Sequence, residues 1–127
     1  MESKYQKFRH FITSGGKLVI GGKSAEQNEE LMKTCLDNEN IVLHTEAPGS
    51  PFCIIKEKEE EISKQEIEES AVFCAKYSHV WKKAKVKKNV TVHYFLGKDI
   101  FKTKGMKLGT FGVKKFKKII VKKGDID

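Results

Sequence analysis

His44 and Glu46 stand two residues apart in the stretch IVLHTEAPGSPFCIIK, residues 41–56. Side chains of an extended chain alternate between faces, so the two would share a face with Cα atoms roughly 7 Å apart. A carboxylate beside an imidazole raises its pKa and fixes its tautomer, as a general base with its orienting group requires. The same pair reads equally as a hydrogen-bonded polar couple on a half-buried strand, or as a contact to a bound sugar or base edge.

Other chemistries have less in their favour. Serines, cysteines, histidines and acids are present, yet no nucleophile elbow or cysteine-protease signature surrounds them. His10, His44, His79 and His93 match neither C-x-x-C nor H-E-x-x-H spacing, so no metal site and no cofactor are expected. Gly21-Gly22-Lys23, just before a helix start, could offer backbone N–H groups to a phosphate, or could be a plain strand-to-helix turn. Cys35, Cys53 and Cys74 are far apart and form no motif, which predicts reduced, buried thiols.

The elements that must position these residues follow from periodicity. Residues 8–14 and 17–21 read as strands joined by Ser14-Gly15-Gly16. Ser24 with Gln27 is a capping-box spacing and predicts a helix over 25–36, with Leu31, Met32, Cys35 and Asn28 on one face. Strands are expected at 41–46 and 52–56, around a turn in which Pro48-Gly49 suits the central positions of type II. Ser63 and Glu66 form a second capping box before a helix of 64–82, whose small residues Ala71, Cys74, Ala75 and Ser78 suit close packing on a sheet. Alternation in VTVHYFLG makes another strand, and TFGVKKFKKIIVKK (110–123) reads as a terminal hairpin. The sum is an α+β single domain over 1–127, with two main helices and a mixed or antiparallel sheet of six or seven strands.

Charge is segregated. Residues 57–69 hold seven glutamates against two lysines, whereas 82–123 hold fifteen lysines against Asp99 alone. Lysine and glutamate abundance also marks heat-adapted proteins, but surface ion-pair networks mix signs, and a one-signed block favours a polyanion. The lysines recur beside aromatics: Lys82, Lys83, Lys85, Lys87 and Lys88 after Trp81; Lys98, Lys102 and Lys104 around Phe101; Lys114, Lys115, Lys117 and Lys118 around Phe116. Lysines attract phosphate irrespective of sequence, and exposed aromatics stack on unpaired bases. The alternative is a solvated face with those rings in the core. No apolar run is long enough to span a membrane and the N-terminus lacks a signal-peptide core, so a cytoplasmic, non-membrane protein is expected.

Four of these stretches, 11–31, 41–56, 68–82 and 90–121, resemble in order the NFACT-R domain, the RNA-binding module of NFACT proteins that act on stalled large ribosomal subunits. Gly21, Gly22, Gln27, Asn28 and Glu29 fall on that family's glycine pair and Q-N-E pattern. His44 falls on its strand histidine, Gly49-Ser50 on its turn, and Gly105 and Gly109 on its penultimate loop. Pro51 departs from the pattern, since many bacterial members carry histidine there. The larger relatives also place other domains and coiled coils before this module, so the resemblance implies a stand-alone member. It implies a non-catalytic protein contacting tRNA or ribosomal RNA, with the large ribosomal subunit and DNA as further candidates and another chain as source of the remaining NFACT regions. Lys23, His44, Glu46 and Gly49-Ser50 would shape recognition, and Lys82 to Lys88, Lys104, Lys107 and the lysines of 114–123 would hold phosphates. Two rivals remain, an RNA-processing enzyme using His44 and Glu46 and an adaptor docking through 57–69.

Overall fold

A computed structural model of the chain describes residues 3–126. Strands β1 (Arg9–Ile12), β2 (Leu18–Gly21), β3 (Ile41–Thr45), β4 (Cys53–Ile55), β5 (Val90–Leu96) and β8 (Lys117–Val121) form an antiparallel sheet in the order β1-β2-β4-β3-β5-β8. Strands β6 (Ile100–Phe101) and β7 (Gly112–Val113) make a separate two-stranded ribbon. The helices are α1 (Ala25–Thr34), α2 (Lys64–Lys76), α3 (His79–Lys82) and α4 (Lys123–Ile126). The expected α+β class is what the chain adopts.

The central strands are apolar without alternation because both faces of the sheet are covered. Val19, Ile41, Leu43, Cys53 and Ile55 pack against Ala71, Cys74 and Ala75 of α2. Their chain neighbours Ile20, Val42 and Ile54 point the other way, onto Leu31 and Met32 of α1. Each such buried side chain contributes about 1.5–3 kcal/mol through removal from water. The small residues of α2 let that helix lie close to the strands. Ser63 and Glu66 complete their capping box, while the first box is half made: Ser24 accepts from the Gln27 N–H, but Gln27 reaches Lys23 instead.

Two expectations are overturned. The helix expected over 64–82 stops at Lys76, because Ser78 takes an extended conformation and its hydroxyl accepts the Trp81 N–H at 3.3 Å, starting α3 afresh. The break frees the His79 N–H, which donates to the Gly49 carbonyl at 2.8 Å. The terminal hairpin does not form either. Strand β7 pairs with β6, and β8 pairs with β5. The reason is burial: Val113 packs in the α1-side cluster, whereas Ile119 and Val121 pack under α2, so the two segments diverge to opposite faces.

Cys35, Cys53 and Cys74 are free and buried, and burial pushes the Cys53 thiol well up. At mildly alkaline pH a thiol-reactive disulfide reagent should therefore leave all three unmodified in the folded protein and label all three in concentrated guanidinium. Rapid native-state labelling of Cys53 would contradict this packing.

Candidate nucleic-acid interface

A cleft of about 470 Å³ opens at one end of the sheet's strands, lined from β1, the start of α1, the end of β3, the β3–β4 turn, α3, β5 and the 108–111 segment. It gathers Gly22, Lys23, Asn28, His44, Glu46, Gly49, Ser50, Lys82 and Gly109 from distant parts of the sequence. It also contains Arg9, Tyr77, His79 and His93, to which sequence spacing gave no binding role.

One wall is built on Asn28. Its side-chain oxygen accepts the Phe52 N–H at 3.1 Å, and its amide nitrogen donates to the Ser50 carbonyl at 3.4 Å. The amide that looked out of place on an apolar helix face therefore replaces strand-like partners for residues 50–52. Gly22 is required by the same contact, since a Cβ there would lie 2.1 Å from the Asn28 side-chain oxygen. Gly49 has φ +87, and a Cβ would come 2.7 Å from His79 Nδ1, so both backbone and space demand glycine.

Glu29, the next residue, holds the opposite wall. Its carboxylate accepts the Gly109 N–H at 2.7 Å and Lys102 Nζ at 2.9 Å. Lys102 also donates to the carbonyls of Lys107 and Thr110, tying the 102–110 loop to itself. The Gly109 bond, then Lys102, bring the Glu29 pKa down to about 2. Gly109 has φ +78 against Ala25, whereas Gly105 sits in open space where a Cβ would meet nothing.

The catalytic pairing of His44 with Glu46 is not made. Strand β3 ends at Thr45, and the Glu46 carboxylate turns to Lys118 Nζ at 2.9 Å, with His93 Nε2 at 3.4 Å. Lys118 holds Glu46 below its usual carboxylate range. His44 Nδ1 lies 2.7 Å from the Thr45 carbonyl and its ring packs on Phe52. A carbonyl only accepts, so Nδ1 carries the proton. Burial depresses the His44 pKa, which leaves a neutral imidazole with Nε2 as an acceptor at physiological pH. At the Gly22-Lys23 turn the backbone donors are already engaged, Gly22 N–H by the Phe52 carbonyl and Lys23 N–H by Gln27. Ser50 is 7% exposed, and its hydroxyl bonds Thr45 and Pro51, so it shapes the turn.

The cations are placed unevenly. Arg9 lies over the Tyr77 ring at 3.9 Å and Lys82 at 5.5 Å, so one aromatic brings two positive charges to the cleft wall beside Lys23. Lys83, Lys85 and Lys88 are exposed beyond α3, while Lys87 folds back onto Trp81, which is buried. Lys104 and Lys107 are exposed on the loop that Glu29 anchors. Lys114, Lys115, Lys117 and Lys118 are exposed at the outer edge of the sheet. Glu29 stands in the Q-N-E pattern and Lys102 beside Phe101, but nothing local in the sequence announces the bond between them.

A family model of the NFACT protein RNA binding domain matches residues 7–115, which takes in every wall of the cleft. The chain belongs to this family. It is similar to the archaeal Rqc2 homolog aRqcH of Methanocaldococcus jannaschii, at 38% identity over 78 residues, 61% of this chain and 12% of that protein. The ribosome quality control complex subunit NEMF homolog of Drosophila melanogaster is 36% identical over 96 residues, 75% of this chain and 9% of its own length. The chain thus spans about a tenth of the length of these curated relatives. The same fold recurs in the C-terminal part of the Streptococcus suis fibronectin/fibrinogen-binding protein, with TM-score 0.79 at 21% identity over 91% of this chain and 45% of that one.

The two walls can be tested separately. Asn28→Leu keeps the volume but leaves the Phe52 N–H without its acceptor, and should cost about 1–3 kcal/mol in urea unfolding. For Glu29 the folded pKa is depressed, so its stabilisation is complete above pH 4.5 and is lost as pH falls from 4.5 towards 2. Glu29→Gln should be less stable at neutral pH by about 1.5–3 kcal/mol, with the gap to wild type closing across that window. A gap independent of pH would mean that the carboxylate charge does not hold the loop.

Proposed function

We propose that this chain binds structured RNA through the cleft and its basic margin, as a non-catalytic module working in ribosome quality control. The observation that carries the reading is the convergence of Arg9, Lys23 and Lys82 on one cleft, where the carboxylate at the rim, Glu46, is offset by Lys118. Family membership and the names of its relatives support the same direction.

The chemistry favours RNA over DNA. A neutral His44 offers an acceptor, which suits a ribose 2′-hydroxyl rather than a phosphate oxygen. Phosphates fall to Arg9, Lys23 and Lys82 in the cleft, and to Lys83, Lys85, Lys88, Lys104 and Lys107 around it. Gly49 and Ser50 contribute the shape of the wall, and Glu46 positions Lys118. On this reading tRNA or ribosomal RNA is the partner, and the protein works in the cytosol; no helix among the described residues is long and apolar enough to cross a membrane. The enzymatic alternative is weakened because His44 has no carboxylate partner among the described residues. The adaptor alternative loses part of its acidic segment, since Glu66 bonds Thr13 and Ser63, and Glu69 bonds Ser14.

Binding of labelled tRNA, a ribosomal RNA fragment and duplex DNA across a salt series tests this, for wild type and a Lys23→Glu, Lys82→Glu variant. The folded RNAs should be preferred at about 0.15 M salt. The variant's log–log salt slope should be shallower by roughly 0.7–0.9 for each phosphate it no longer neutralises. Equal, steeply salt-sensitive binding to all three nucleic acids would reduce the function to generic attraction. Cleavage of RNA on prolonged incubation would restore the enzyme reading.

A further inference from the structure

Phe116 lies in the bend between β7 and β8, just beyond the segment that matches the family. It is 45% exposed, in a chain that buries most of its large apolar side chains. One face of its ring lies flat on His93, with centroids 4.0 Å apart and planes inclined by 16°. The other exposed phenylalanine, Phe101, is instead packed across Gly112, where a Cβ would come 2.2 Å from its ring. Phe116 therefore has a backed face and an open one, the arrangement that holds an aromatic ready for a second ring.

Its chain neighbours carry one sign of charge, although Glu59 and Asp99 line the same groove as Phe116. Lys114 and Lys115 precede it, Lys117 and Lys118 follow it, and all four are exposed. Lys118 is engaged by Glu46, whereas Lys114, Lys115 and Lys117 have no ion-pair partner among the described residues. His93, which backs the ring, lines the cleft, while Phe116 itself lines a neighbouring groove with Tyr94, Lys115 and Lys117. An apolar ring set among unpaired cations suits a planar group attached to phosphates.

We infer that the open face of Phe116 is a stacking platform for one unpaired nucleobase in the groove beside the cleft, with flanking phosphates held by Lys114, Lys115 and Lys117. This rests on the RNA reading and narrows it: the ligand is an RNA that presents an unpaired nucleotide beside the part held in the cleft. A base inside a blunt duplex is stacked on both sides and cannot use the platform. An acidic protein surface is the competing occupant, and the test separates the two.

The probes are a single-stranded oligouridine carrying one 2-aminopurine and a blunt RNA hairpin with the same number of phosphates. Stacking on Phe116 should quench 2-aminopurine fluorescence on binding wild type. Phe116→Leu should abolish the quench and weaken single-strand binding about 5- to 100-fold. The salt slope and the hairpin affinity should stay as in wild type, because the substitution leaves every phosphate-binding lysine in place. Phe116→Trp should restore both quench and affinity, which a defect in folding would not allow. Changing Lys114 and Lys115 to Gln should lower the single-strand salt slope by roughly 0.7 for each phosphate left without its lysine. Wild-type affinity and quench in Phe116→Leu would overturn the platform while leaving RNA binding intact. RNA binding without any quench in wild type would also overturn it, leaving the face to an acidic protein partner. Failure of wild type to bind either RNA would overturn the broader reading together with this one.

Discussion

The whole site hangs on two adjacent polar side chains in the first turns of α1. Successive residues of a helix point about 100° apart. Asn28 can therefore reach the β3–β4 turn while Glu29 reaches the 102–110 loop. Each group replaces partners that the facing backbone would otherwise lack, and an unmet buried polar group costs about 1–3 kcal/mol. That penalty fixes the two walls relative to a single helix. The helix is itself fixed by burial of Leu31 and Met32 on the sheet. The cleft is thus set by the core, through hydrogen bonds to backbone atoms.

Charge is arranged by the same framework. The acidic stretch around the start of α2 looks in sequence like one solvated block, yet it divides in the fold. Glu66 is buried against Thr13, Ser63 and Lys17, and Glu69 accepts the Ser14 N–H, so two of its members clip the β1–β2 turn onto α2. Those bonds draw both carboxylates below their usual pKa. Glu59, Glu60, Glu61 and Glu68 remain exposed. Glu59 lines a groove together with Lys115 and Lys117, so part of this acidic group faces the basic segment in the fold.

Much of this was legible where the signal is local. Apolar runs at 18–20, 41–43 and 53–55 marked strands, and Ser24 and Ser63 marked helix starts, while the covering of both sheet faces came only with the structure. Asn28 betrayed itself as a polar group on an apolar stripe. What failed depended on distant partners or on competition between two local signals. The stripe of small residues in α2 carries on past Lys76, but Ser78 favours a cap and ends the helix. Spacing alone made 110–123 a hairpin, whereas the sheet faces that Val113 and Val121 bury are opposite. Glu46 was matched to its near neighbour His44, yet its partner Lys118 stands 72 positions away, and the Glu29–Lys102 bond spans 73.

These differences change how the site is understood. Asn28, Ser50, Gly22 and Gly49 carry the family pattern, but their polar groups or their space are already engaged within the protein. A satisfied amide or hydroxyl has little left to offer a ligand, so these residues govern shape. On the proposed reading, contact falls to Arg9 and Lys82 on Tyr77, to Lys23 and to the free nitrogen of His44, and of these only Arg9 had no binding role in the sequence reading. A preformed wall limits the ordering cost of association, and lysines on flexible stems supply attraction without fixed geometry. Selectivity should then reside in what fits between the two walls, and affinity in the lysines around them. A family pattern in this fold consequently marks the mould of the site more than its points of contact.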